Sequence, residues 1–154
     1  MAVHTWQSRQ ILPAEPAAVW DFFANPRNLA RLTPPELGLE VLTSNLPERV
    51  TPGLLIAYRV RPLLGLPLTW LAEITHVEEG RRFIDQQRAG PYAFWQHEHV
   101  VQRASDGRTE VVDHITYTLP FAPLGDLAQP WLVRPQLARL FAAREPALRQ
   151  VFPG

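Results

Sequence analysis

The chain has 154 residues, 46% apolar and 19% charged, with fifteen basic and fifteen acidic side chains that cancel. That size and balance fit one folded domain with a sizeable core and exclude a disordered chain; without a basic stripe, nucleic acid and anionic membrane are poor partners. Cysteine is absent and every basic residue is arginine, which removes disulfides, thiolate chemistry, Schiff bases and Walker-type phosphate loops.

Residues 3–12 alternate and read as a strand ending at Leu12-Pro13. A helix is expected from about Pro16, with Val19, Trp20, Phe22 and Phe23 at helical spacing as core side chains. Asn25-Pro26 stops it, and Asn28 to Leu32 reads as a second short helix ended by Thr33-Pro34-Pro35. The pattern then turns to period two. Strands are expected at about 37–43, 54–61, 68–78, 81–89, 92–103 and 109–119. The breaks between them, such as Glu79-Gly80, Gly90-Pro91 and Ser105-Asp106-Gly107, are turn chemistries, and links this short imply antiparallel hairpins. From Asp126 the period is helical again. Pro130, Pro135 and Pro146 fall inside it, at about 3 kcal/mol each for an interior proline, so kinks or a start near Pro135 are expected.

The Met1–Trp6 stretch shows no charged leader followed by an apolar run, and no run of about eighteen apolar residues occurs, so a cytoplasmic protein with no membrane span is expected. Ser8, Ser44 and Ser105 lie outside any G-x-S-x-G context, which argues against a serine nucleophile.

The chemistry concentrates in Gly90–His99, where Trp95, His97 and His99 share one face of a strand. Two hairpin registers are open at Gly90-Pro91. A tight one pairs Ala89 with Tyr92 and brings Ile84, Gln86 and Arg88 to the histidine face. A looser one pairs Gln87 with Trp95 and Asp85 with His97; it is preferred because Phe83 then joins the apolar set. On the last strand Val111, Asp113, Ile115, Tyr117 and Leu119 form the more apolar face, with Asp113 opposite His97 or His99. Earlier strands add Ile56, Tyr58 and Val60, then Trp70, Ala72 and Ile74. Buried carboxylates need donors, so Asp85 and Asp113 are expected to pair with the histidines. The H-x-H spacing lets His97 and His99 reach one metal with Asp85 or Asp113 as a third ligand. A single such motif is weak, and the reading is a hydrogen-bonded network with no metal and no cofactor. Arg134, Arg139, Arg144 and Arg149 are assigned to the outer face of the last helix, from which one could reach a ligand's acidic group at the pocket mouth.

The order strand, two short helices, six strands, long helix resembles the helix-grip fold of the START-like (SRPBCC) superfamily. That superfamily includes the birch-pollen allergen family, aromatic polyketide cyclases and lipid-transfer START domains. Ile11-Leu12-Pro13, followed by Pro16 to Phe23 and Asn25-Pro26-Arg27-Asn28-Leu29, is similar to its first strand and helices. Asp85-Gln86-Gln87 with Gly90-Pro91-Tyr92, Trp95 to His99, and Asp113 to Phe121 resemble a bacterial stand-alone subfamily related to polyketide cyclase/dehydrase-like proteins. The resemblance spans essentially the whole chain and implies a single α+β domain over 1–154. Its curved, antiparallel, seven-stranded sheet (β-α-α-β6-α) would wrap a long C-terminal helix.

What it implies for function is a small lipophilic or amphipathic ligand held between sheet and helix. Tyr58, Trp70, Ile74, Trp95, Ile115 and Tyr117 would line the apolar part. Asp85, Gln87, His97, His99 and Asp113 would orient the polar end. Access would be gated near Leu63–Pro67 and at the start of the last helix. The alternative is a cofactor-free cyclase/dehydrase-type enzyme in which a His–Asp pair drawn from His97, Asp113 and Asp85 serves as general acid or base. A protein–protein module is disfavoured, since no large exposed apolar motif is apparent.

Overall fold

The computed structural model describes residues 1–63 and 65–154, Leu63 by its backbone alone. Strand β1 (His4–Leu12) leads into helix α1 (Pro16–Phe23) and helix α2 (Leu29–Leu32). The strands β2 (Glu40–Val41), β3 (Leu55–Leu63), β4 (Leu66–Glu78), β5 (Arg82–Ala89), β6 (Phe94–Arg103) and β7 (Thr109–Thr118) follow, and helix α3 (Leu124–Val151) closes the chain. All neighbours in the sheet are antiparallel, in the order β1-β7-β6-β5-β4-β3-β2. This is the α+β helix-grip architecture, with α3 along the sheet.

Local chemistry sets the boundaries. Pro16 occupies the first turn of α1, where its missing N–H costs nothing, and the helix buries Val19, Trp20, Phe22 and Phe23. Asn25 then accepts a hydrogen bond from the Arg27 amide and starts a 3₁₀ turn over Pro26–Asn28. The strand expected at 37–43 shrinks to two residues. Pro35–Leu37 forms a 3₁₀ turn, and Gly38 ends it in the left-handed region (φ 56°), where a Cβ would also meet the Arg61 side chain.

The expectation of a late start for the last helix is wrong. Helix α3 runs through all three prolines for 28 residues, about 42 Å at 1.5 Å per residue. Each proline frees the carbonyl four residues before it. Two of those carbonyls, on Trp131 and Ala142, belong to exposed residues that water can serve. Tertiary packing supplies the rest: Leu137, Phe141, Arg144 and Leu148 recur at helical spacing and are all buried. Among the described residues no helix is long and apolar enough to cross a membrane.

The core is divided. One packet joins α1 to Leu12, Ile74, Phe83, Val101, Val111 and Leu148. A second joins α3 to Trp95, Ile115, Tyr117 and Leu119. A third, around Leu46, Ile56, Tyr58 and Ala72, fills the β3–β4 end. A cavity of about 450 Å³ lies among the three. The surface also departs from expectation. Phe121, Leu124, Leu127, Trp131 and Leu132 are exposed at the start of α3, with Phe121 84% and Trp131 72% accessible. Five large apolar side chains are therefore exposed within twelve residues of chain.

Candidate functional site

The looser hairpin register is the one observed: Asp85 faces His97 and Phe83 faces His99 across β5 and β6. On the other side of β6, His99 faces Asp113 and His97 faces Ile115. The two histidines thus stand between two carboxylates. Their hydrogen bonds run along the diagonals of the ladder. His97 Nε2 lies 2.7 Å from Asp113 Oδ1, and His99 Nε2 lies 2.7 Å from Asp85 Oδ2. Diagonal neighbours on one face are within reach of long side chains, and here the geometry uses both diagonals. The His97 and His99 rings stack at 3.7 Å between centroids, and Phe83 stacks on the other side of His99 at 4.2 Å.

Helix α3 completes the network. Arg144, only 5% exposed, places Nη1 3.2 Å from Asp113 Oδ1 and holds its guanidinium over the rings of Phe23 and Phe141. Its assignment to an outer helix face is therefore wrong. The signal was present in the sequence, since Arg144 falls in the 137–141–144–148 stripe of buried positions. Burial alone would push the Asp113 carboxyl up, but Arg144 and the hydrogen-bonded His97 outweigh it and hold the group ionised, well below the usual carboxylate range. Burial, and then the neighbouring His97, push His99 down to about 4, so its ring is neutral at pH 7. A neutral ring facing a carboxylate through Nε2 carries its proton there. That leaves His99 Nδ1 buried with no hydrogen-bond partner, 3.5 Å from Asp113 Oδ1.

Asp85, His97 and His99 face the cavity, as do Tyr58, Trp70, Ile74 and Trp95. Trp70, Tyr92 and Trp95 form an aromatic corner, with Trp70 edge-on to Trp95 at 5.1 Å. Burial pushes the phenols of Tyr58 and Tyr92 up, so both remain protonated donors at neutral pH. Four residues expected in the lining sit elsewhere. Gln87 turns back to bind both backbone groups of Tyr92 and braces the β5–β6 turn. Asp113 lies behind His97, under Arg144. Ile115 and Tyr117 pack beneath α3, where the Tyr117 hydroxyl accepts from Gln129. Conversely, Phe22 and Phe23 face the cavity as well as the core, and α3 adds Leu137 and Leu140. Periodicity marks such residues as buried without saying what they face. The expected gate at Leu63–Pro67 lies partly outside the described residues. At the other expected gate, Phe121 and Leu132 are exposed and also line the cavity, so it reaches the surface at the start of α3.

Solved structures share this architecture. A START superfamily protein from Mycobacterium smegmatis superposes with a TM-score of 0.71 at 12% identity, covering 96% of this chain and 99% of that one. The ginseng major latex-like protein 151 from Panax ginseng gives 0.71 at 10% identity over 97% of both chains. Ara h 8.0201 gives 0.61 at 18% identity, covering 96% of this chain and 99% of its own. At these identities the likeness shows the helix-grip, START-like fold. None of the three is described as a cyclase or dehydrase, so the polyketide-cyclase reading gains nothing from them. Among curated proteins none matches the sequence. A family profile does match, over residues 10–152, and the chain therefore belongs to the family described as Domain of unknown function (DUF8410).

Proposed function

We propose that this protein binds a small lipophilic or amphipathic molecule in the cavity between sheet and α3, its polar end against Asp85, His97 and His99. The observation that carries the proposal is the cavity of about 450 Å³ with an apolar lining and ionisable groups gathered on one wall. Its volume falls within the range of small-molecule sites, and so does its pattern of apolar walls with a few placed polar groups. An apolar void of this size forfeits dispersion contacts along its whole lining, which a bound molecule would restore. The START-like fold of the neighbours supports the same reading at the level of architecture.

On this reading Trp70, Tyr92 and Trp95 grip the flat or branched body of the ligand. His97, stacked on His99, offers the ring nitrogen that Asp113 does not hold, and Asp85 accepts from a ligand hydroxyl. Native mass spectrometry of protein purified from its own host tests this: a co-purifying small molecule, lost on denaturation, is the expected result. A mass equal to the bare chain, together with no uptake of an apolar fluorescent probe, would overturn it.

A further inference from the structure

The histidine face holds a feature that the hydrogen-bond network alone does not satisfy. Asp85, His97 and His99 each offer one ligand atom, and the three atoms lie within 4.8 Å of one another. All three residues line the cavity. Behind them Asp113 sits within 2.7 Å of His97 Nε2 and 3.5 Å of His99 Nδ1, and Arg144 holds it in place. One carboxylate thus stands against one nitrogen of each ring, while the other nitrogen of His99 is held by Asp85.

We propose that Asp85, His97 and His99 form a binding site for a divalent first-row transition ion, open on its cavity side. The ligands would be the Asp85 carboxylate, His99 Nε2 and the His97 nitrogen that Asp113 does not hold. Two imidazoles and one carboxylate suit zinc and its neighbours, and three protein ligands leave a position for an exogenous oxygen. The unpartnered His99 Nδ1 is the independent observation. Without an ion, the His99 proton sits on Nε2 against Asp85, and Nδ1 is an acceptor facing a carboxylate. With an ion on Nε2, the proton would move to Nδ1 and turn that atom into a donor facing Asp113 Oδ1 at 3.5 Å, a gap that a small turn of the ring would close. Asp113 then serves both ligand rings as the outer carboxylate, the arrangement that fixes tautomer and orientation at histidine metal sites. Strand geometry supplies the rest: the histidines are two apart on β6, and Asp85 faces His97 from β5.

The test uses the intact chain, freed of metal with a chelator and titrated with Co²⁺, then with Zn²⁺ in competition. Stoichiometric visible absorption from bound Co²⁺, displaced by Zn²⁺, is expected, with a higher melting temperature in Zn²⁺. D85N and H99Q should each abolish the signal, while D113N should weaken affinity by roughly 10–100-fold, as loss of an outer carboxylate does. Circular dichroism confirms that each variant is folded. If the wild type shows no Co²⁺ absorption and no Zn²⁺ shift, the proposal fails. It fails equally if the signal survives in folded D85N/H99Q, since the ion then sits at another histidine such as His76 or His114. These readouts need no cavity ligand, so an empty cavity and an absent metal site are distinguishable results.

Discussion

The two ends of the cavity are built on opposite principles. At the wall formed by β5, β6 and β7 the ionisable groups are buried or half-buried and tied to one another: Asp85 to His99, His97 to Asp113, Asp113 to Arg144. At the mouth, by the start of α3, large apolar side chains stand in solvent, Phe121, Leu124, Leu127 and Trp131 among them. Ordinary globular logic would reverse both. A buried ion pair repays its desolvation only with good geometry and further hydrogen bonds, and exposed apolar patches mark contact sites. Buried polar contacts and exposed apolar surface are thus divided along α3. Its C-terminal half carries Arg144 into the network, and its N-terminal half is left apolar beside the opening.

Breaking the polar wall gives the largest expected effect. Arg144→Ala leaves the buried Asp113 carboxylate without its guanidinium partner, hydrogen-bonded to His97 alone, which costs about 3–5 kcal/mol by the usual penalty for half a buried ion pair. Urea denaturation measures it. Pairing Arg144→Met with Asp113→Asn removes both charges and should recover much of that loss. A double variant as unstable as Arg144→Ala would mean that Arg144 acts by packing on Phe23 and Phe141 instead.

Acid attacks the same wall less severely. In the metal-free protein His99 is faced by Asp85 from β5, His97 from β6, Asp113 from β7 and, through Asp113, Arg144 from α3. Its folded pKa of about 4 lies below the ordinary 6.5, so the unfolded chain binds the proton more readily. The resulting stability is full above pH 6.5 and is lost as pH falls toward 4, about 3 kcal/mol across the window. Asp113 stays ionised there and adds no slope of its own. Melts at stepped pH should show the loss in the wild type and a flatter profile in His99→Gln; equal slopes in the two would place the titrating group elsewhere.

The mouth should respond in the opposite sense. Leu127→Ser and Trp131→Ser remove exposed side chains, and each should change stability by no more than about 0.5 kcal/mol, as substitutions outside the core do. Thermal melts decide this. A loss of several kcal/mol would show that the N-terminal half of α3 is packed against something and that the two ends are not so different.

How far this division could be read from the sequence depends on the type of signal. Alternation between turn residues places six of the seven strands close to their observed spans, and Phe83 identifies the register that brings Asp85 opposite His97. Two boundaries failed for backbone reasons. Gly38 adopts a left-handed conformation that cuts β2 to two residues, and α3 continues through three prolines because packing, not propensity, holds it. Charge points Arg144 to the surface, whereas its spacing puts it inside. Gln87 shows a different limit. It keeps strand order beside Asp85, yet its side chain turns back to the backbone of Tyr92, and no alternation pattern encodes that choice.

The most direct test of the cavity fills it. Ala72 lines the cavity at 5% exposure, opposite Ile56 on β3. In a packed core Ala72→Leu would cost about 1–3 kcal/mol by overpacking. Titration with an apolar fluorescent probe, followed by quenching of Trp70 and Trp95, compares wild type with Ala72→Leu. The expected result is saturable uptake by the wild type, loss of uptake in the variant, and a melting temperature unchanged or raised. Destabilisation of the variant with no uptake by the wild type would contradict a cavity kept open for a ligand.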